Sequence, residues 1–232
     1  MAAGLPGAAP EELPALVGFA VSRFGPLVSA VVTACLSPSG GPDNHVGQKG
    51  PKTAVVLATM YGDAVTVDTA TQRLVAQKPP NPLLFYQSAN TSVLSHVTRR
   101  YGIHGPLTCV SAVRDPAAEA LRMADALLDD PALSQVLVVG VETRPNERVR
   151  RAHESTTAGS GRAHLPVGDA AAALLLRRLG EDGTVRLSLL EKDANESAEP
   201  GPLGWLSDLM GLCAAITPAP RAARGDTFEF SV

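Results

Sequence analysis

Thiols, imidazoles and a glycine-rich loop are the groups in this chain that could do chemistry, and their spacing decides what each is worth. The three cysteines, Cys35, Cys109 and Cys213, lie far apart and form no CxxC pair. Such an arrangement supports neither a disulfide framework nor a zinc site, and it suits a reducing cytoplasm. A nucleophilic cysteine needs a helix N-terminus or a cation to hold it as thiolate. Cys109 instead falls inside an expected strand, short of the turn that follows, where a buried cysteine packs as a small hydrophobe. It is expected to be structural, and its use as a nucleophile is the rival reading. The five histidines, His45, His96, His104, His153 and His164, are scattered over loops and helix faces, and each reads as an unpaired surface or core residue. Gly47-Gln48-Lys49-Gly50-Pro51-Lys52-Thr53 approaches a phosphate-binding loop, but Pro51 splits the motif and a strand follows where a helix is required. Gly159-Ser160-Gly161 lacks the spacing and setting of a hydrolase elbow. No metal or organic cofactor is expected.

The elements that position these residues centre on 105–142. Residues 107–113 are apolar and rich in β-branched side chains after Gly105-Pro106, as in a buried strand. Asp115 offers an N-cap and Pro116 fills the first helical position, where a missing N–H is harmless. Ala117, Leu121, Ala124 and Leu128 then recur at helical spacing until Asp129-Asp130-Pro131 ends the helix. Residues 136–141 form a second apolar strand. An alanine-rich helix between two such strands belongs inside an α/β layer.

Outward from that unit, residues 1–12 read as a loose end and 27–36 as a helix. A polar loop covers 37–52, a buried strand 53–59, a turn Tyr61-Gly62-Asp63 and a helix 65–75. Leu83-Leu84-Phe85-Tyr86 is the bulkiest cluster, and 88–101 reads as a helix with Arg99 and Arg100 near its C-terminus. Residues 143–166 read as a polar surface loop. Strands at 170–176 and 185–190 are expected to pair with each other across Glu181-Asp182-Gly183, and a helix at 203–216 precedes a last strand at 227–232.

With 232 residues, 45% hydrophobic and 19% charged, the chain can bury a core as a single domain over 1–232. A net charge of −3 and the lack of a dense Lys/Arg run give no support for nucleic-acid binding. The apolar run at 13–36 follows Glu11-Glu12 and is broken by Arg23 and Pro26, so neither a membrane span nor a signal peptide is expected.

Several of these segments, in order, resemble the β-ketoacyl synthases of the thiolase-like superfamily. Gly105-Pro106, the alanine-rich helix and Val139-Gly140-Val141-Glu142 match the region around that family's nucleophile. Residues 55–63, Asn81-Pro82-Leu83-Leu84-Phe85 with Asn90-Thr91, and Gly168-Asp169-Ala170-Ala171-Ala172 match further motifs, the last with alanine for both glycines. The resemblance implies an α/β thiolase-like fold, essentially the N-terminal ketosynthase half with a compressed C-terminal part. Two departures matter. In register with the family, the nucleophilic cysteine is replaced by Arg114, and the histidine-bearing second repeat has no counterpart. Acyl transfer needs a thiolate where helix dipole and backbone N–H groups support it, and a guanidinium cannot attack a thioester.

The resemblance therefore points to the short form of the ketosynthase-like chain-length factors of polyene-type type II polyketide systems. It implies a catalytically silent subunit that pairs with an active ketosynthase and closes the end of its acyl tunnel. Acyl carrier protein would dock mainly on the active partner. By position, Met60, Tyr61 and Val65 match the turn and helix at the family's dimer interface, and Leu84, Phe85 and Tyr86 the segment flanking the partner's pocket. Bulky groups there would stop the growing chain by exclusion; packing of the core or interface is their plainer role. Arg114 would anchor a partner carboxylate or pair locally with Asp115. A self-standing acyltransferase and a non-catalytic homodimeric scaffold are the alternatives.

Overall fold

In the computed structural model the described residues are 2–6, 13–37, 44–157, 163–178, 186–190, 201–216 and 227–231. The chain runs through β1 (Ala2–Pro6), α1 (Phe24–Leu36), a 3-10 turn (Gly47–Lys52), β2 (Thr53–Ala58), α2 (Ala64–Val75), α3 (Pro82–Ser88) and α4 (Asn90–Tyr101). It continues with β3 (Leu107–Val110), α5 (Pro116–Leu128), β4 (Gln135–Glu142), α6 (Glu147–Thr157), β5 (Ala170–Arg177), β6 (Arg186–Leu190), α7 (Leu206–Ile216) and β7 (Thr227–Ser231).

Five strands form one sheet in the order β1-β5-β4-β2-β3. β3, β2 and β4 are parallel, while β5 runs antiparallel to both β4 and β1. Every residue of β2 and β4 is buried, because helices cover both faces. Alternate side chains enter two cores. Val55, Leu57, Leu137 and Val139 meet α1 and α4, where Leu27, Val28, Val93 and Leu94 are buried. Ala54, Val56, Val136 and Val138 meet α5 and α7 through Ala117, Leu121, Leu206 and Leu209. Strands buried on both faces must read as continuous apolar runs, which is how 53–59 and 136–141 stand in the sequence.

Gly140 makes close packing on the second face possible. A Cβ there would come within 2.7 Å of both Leu206 Cδ2 and Leu209 Cδ1, and within 3.1 Å of the Trp205 ring. A larger residue would force the Leu206 and Leu209 side chains to move.

Five expectations change. The N-terminal stretch is not loose throughout: Ala2–Pro6 is an edge strand on β5, a position that tolerates Pro6 because one side of an edge strand has no ladder to complete. β6 pairs in parallel with β7 in a separate two-stranded sheet, rather than with β5; the turn at 181–183 lies outside the described residues. The 143–166 loop contains α6, whose polar sequence hides a helix started by Asn146, which accepts from Val149 N at 2.8 Å. The helix expected at 88–101 is present as α4 but begins only at Asn90, separated from α3 by Ala89 in an extended conformation. Finally, β3 is a short edge strand with Leu107 and Cys109 exposed, not a buried one.

Candidate functional site

Three parallel strands, β2, β3 and β4, end on the same side of the sheet, where α/β folds build their sites from the loops that follow. β2 leads into the turn Thr59-Met60-Tyr61-Gly62-Asp63, β3 into residues 111–115 at the head of α5, and β4 into Glu142.

The turn after β2 is held from every side. Thr59 N donates to Val110 O at 3.1 Å, and Ser111 Oγ donates to Met60 O at 2.9 Å. Gly62 has φ of 62°, the left-handed region where a side chain is strained. Its N–H donates to Thr59 Oγ1 at 3.0 Å, and a Cβ would meet the Asn90 carboxamide at 2.8 Å. Asp63 is buried and caps α2 by accepting from Thr66 N at 3.0 Å. It also accepts from Thr66 Oγ1 at 2.7 Å and Ser22 Oγ at 2.6 Å.

Beneath the turn lies Glu142, buried at the end of β4. Its Oε1 accepts from Thr59 Oγ1 at 3.1 Å and from Met60 N. Burial raises its pKa from the ordinary carboxylate range to about 7, and hydrogen bonds from Met60, Thr59, Trp205 and Tyr61 oppose the rise. Trp205 Nε1 is buried without a partner at full hydrogen-bond geometry among the described residues, yet it helps stabilise the same carboxylate. The sequence marks Glu142 only as the last residue of the ketosynthase-like Val139-Gly140-Val141-Glu142 match, with no role assigned, and gives no sign of this convergence.

The six residues assigned to the tunnel wall or interface separate by environment. Met60 and Leu84 are buried within the chain, and Val65 is half-buried in the first turn of α2. Tyr61 is half-buried, with its hydroxyl 3.3 Å from His153 Nδ1 on α6 and the two rings edge to face. Tyr86 is partly exposed and packs at 5.6 Å against Phe19. Phe85 projects from α3 with 80% of its surface exposed. α3 packs against α2, and further exposed apolar residues on these two helices include Leu74, Val75 and Leu83.

Arg114 is exposed at the tip between β3 and α5. Its local pairing with Asp115 is not formed: the Asp115 carboxylate turns to the helix and accepts from Ala118 N at 3.0 Å. The N-cap and Pro116 positions stand as read from the sequence. Cys109 is on the exposed edge strand rather than packed inside. Desolvation by its neighbours raises its thiol pKa, the opposite of what a reactive thiolate needs. His153 touches Tyr61, while His45 and His96 have pKa values lowered first by desolvation and then by nearby positive charge. Among the described residues no three His, Cys, Asp or Glu side chains are grouped to hold a metal, and no helix is long and apolar enough to cross a membrane. Gly159-Ser160-Gly161 lies outside the described residues.

One further ion pair ties the site together. Arg23, just before α1, meets Asp169 at 2.8 Å, and Asp169 also accepts from Arg144 N at 2.7 Å. Asp169 is the acid of the motif at the entry to β5, so this match sits where two strand ends and α1 converge.

With the geometry in hand, the class is a mixed α/β protein of the thiolase-like fold. More particularly, the fold is that of ketosynthase and chain-length-factor chains. The chain matches a structure of the ishigamide ketosynthase/chain length factor with a TM-score of 0.60 at 21% identity, covering 75% of this chain and 49% of that one. It matches the ketosynthase ApeO in complex with its chain length factor ApeC, from Xenorhabdus doucetiae, with a TM-score of 0.58 at 18% identity, covering 77% of each chain. AntDE:AntF, a type II polyketide synthase acyl-carrier protein in complex with its ketosynthase, is similar with a TM-score of 0.55 at 13% identity, over 68% of this chain and 46% of that one. This chain thus spans about half the length of two of these three. No family model matches the sequence, and no curated protein matches it.

Proposed function

We propose that this chain is a catalytically silent chain-length factor: it pairs with an active ketosynthase and limits the acyl tunnel of a type II polyketide synthase. The observation that carries the reading is a ketosynthase fold whose strand–turn–helix tip presents the Arg114 guanidinium and no thiol. A cation at the positive end of a helix neither attacks a thioester nor stabilises itself there. Cys109, on the strand before that tip, has its thiol pKa pushed the wrong way for nucleophilic work.

Two surfaces suit the heterodimer. β3 is an open edge: Pro106 O and Val110 O accept from β2, so by strand alternation residues 107 and 109 turn their backbone groups outward. The exposed apolar side of α2 and α3, with Phe85 foremost, is the second. Acyl carrier protein would reach the complex mainly through the ketosynthase. The product would be of polyene type, made in the cytoplasm as part of an antibiotic-like pathway.

Co-expression with the ketosynthase of the same gene neighbourhood, followed by size exclusion and an elongation assay, tests this. A one-to-one complex that elongates, when neither chain does so alone, is the expected result. A homodimer without activity would favour a scaffold. A chain that turns over acyl thioesters unaided, and loses this on Cys109→Ala, would sink the proposal in favour of an acyltransferase.

A further inference from the structure

The hydrogen bonds under the β2 turn run in one direction. Met60 N and Thr59 Oγ1 both donate to Glu142 Oε1; Tyr61 N and Trp205 Nε1 also stabilise the carboxylate. Peptide N–H and indole N–H groups cannot accept. The turn therefore closes on this carboxylate through donors alone, which hold its charged form against the desolvation that raises its pKa. Thr59 passes the constraint on, because the same hydroxyl oxygen that donates to Glu142 accepts from Gly62 N. One carboxylate thus fixes Thr59, Met60 and Gly62, and between them the orientation of Tyr61.

We propose that Glu142 is the positioning residue of this turn: its carboxylate sets where Met60 and Tyr61 stand, and through them the acyl length at which the complex stops. The inference rests on the chain-length reading above. A protonated Glu142 keeps one accepting oxygen but places an O–H among donors, which loosens the turn. Because burial holds the carboxyl's pKa at about 7, the loosening falls within the working range of pH.

Among the described residues, other ionisable groups near the turn have partners of their own. From the turn itself, Asp63 is held by Ser22 and Thr66. From β5's entry, Asp169 is paired with Arg23, and from α6, His153 contacts Tyr61. The turn before α7 contributes Trp205, which is uncharged, and the 111–115 segment contributes Ser111 to the turn. His153 and its contact with Tyr61 are retained in Glu142→Gln, so a change lost in that variant is not its doing.

Trp205 is the chain's single tryptophan, so its fluorescence reports this pocket alone. Emission of the full chain followed from pH 5.5 to 8.5 should shift with a midpoint near 7, and Glu142→Gln should abolish the shift. Thr59→Val, which removes one donor to the same oxygen, should move the midpoint upward. In the ketosynthase complex, product length measured at pH 6 and pH 8 should differ for the wild type. With Glu142→Gln it should be the same at both, with the share of over-length product raised at least two-fold over the wild type at pH 8. A fluorescence transition that survives Glu142→Gln overturns the proposal. So does identical product length in wild-type and variant complexes once that transition is gone. If no complex elongates, the chain-length reading fails, and the fluorescence separately shows whether Glu142 governs the turn.

Discussion

At the scale of single residues, burial decides which substitutions are felt by the fold and which by a partner. Glu142 is the sharpest case for pH. Its pKa is raised from 4.5 to about 7 in the folded chain. Between those values the unfolded chain has released the proton that the native chain still holds, so stability falls as pH rises through this window and is level above it. The shift corresponds to roughly 3 kcal/mol. Denaturant unfolding at pH 5 and pH 7.5 should show that loss, and Glu142→Gln should be nearly flat over the same interval. Among the wall candidates, Met60 and Leu84 are buried, so Met60→Ala or Leu84→Ala should cost about 2–4 kcal/mol in the same assay. Asp115→Ala, which removes the α5 cap, should cost about 1 kcal/mol. The sequence carried the Asp115 cap plainly, since an acid before Pro at a helix start has one reading. It could not carry the hold of Glu142, because the donors that converge on it come from 59–61 and 205, distant in the chain and joined only by folding.

Elements whose cores face both ways were legible for the same physical reason that they are stable. β2, β4 and β5 read as unbroken apolar runs because helices bury both their faces. α5 was legible from its cap and its spacing. The elements that were misread obtain their order from contacts the pattern does not display. β1 is a short strand of mostly small residues whose ladder is supplied by β5, and among the described side chains of α6 only Val149 is a buried apolar one, with the Arg148–Asp68 pair at 3.2 Å tying the helix to α2. β3 carries an apolar sequence suited to burial, yet its outer side is open; the missing neighbour belongs to another chain in the proposed assembly. This makes a clean test of the edge. Proline at position 109 removes an outward N–H and no bond to β2. Cys109→Pro should leave stability within about 1 kcal/mol of wild type while abolishing ketosynthase binding on size exclusion. Retained binding would show that the partner does not use this edge.

For the whole molecule, the two open surfaces must be covered together if the chain is half of a heterodimer. An edge strand alone buries too little for a stable complex, which commonly needs on the order of 800 Å² from each partner; the exposed apolar side of α2 and α3 is the natural remainder. Phe85, 80% exposed, has little to contribute to the isolated fold, so Phe85→Ala should leave the unfolding curve of the free chain unchanged. In the complex it should lengthen the products, as a bulky stop is removed. The companion measurement uses the exposed thiol on β3. Cys109 has a raised pKa, so alkylation is best followed at pH 8.5, where the free chain should react slowly but completely. Complex formation over both surfaces should slow it at least ten-fold, with Cys35 and Cys213, both buried, slow throughout. Protection of Cys109 with unchanged products in Phe85→Ala would place the partner on β3 and leave Phe85 outside the tunnel. Longer products with Cys109 unprotected would place the contact on α3 and rule out pairing along the edge.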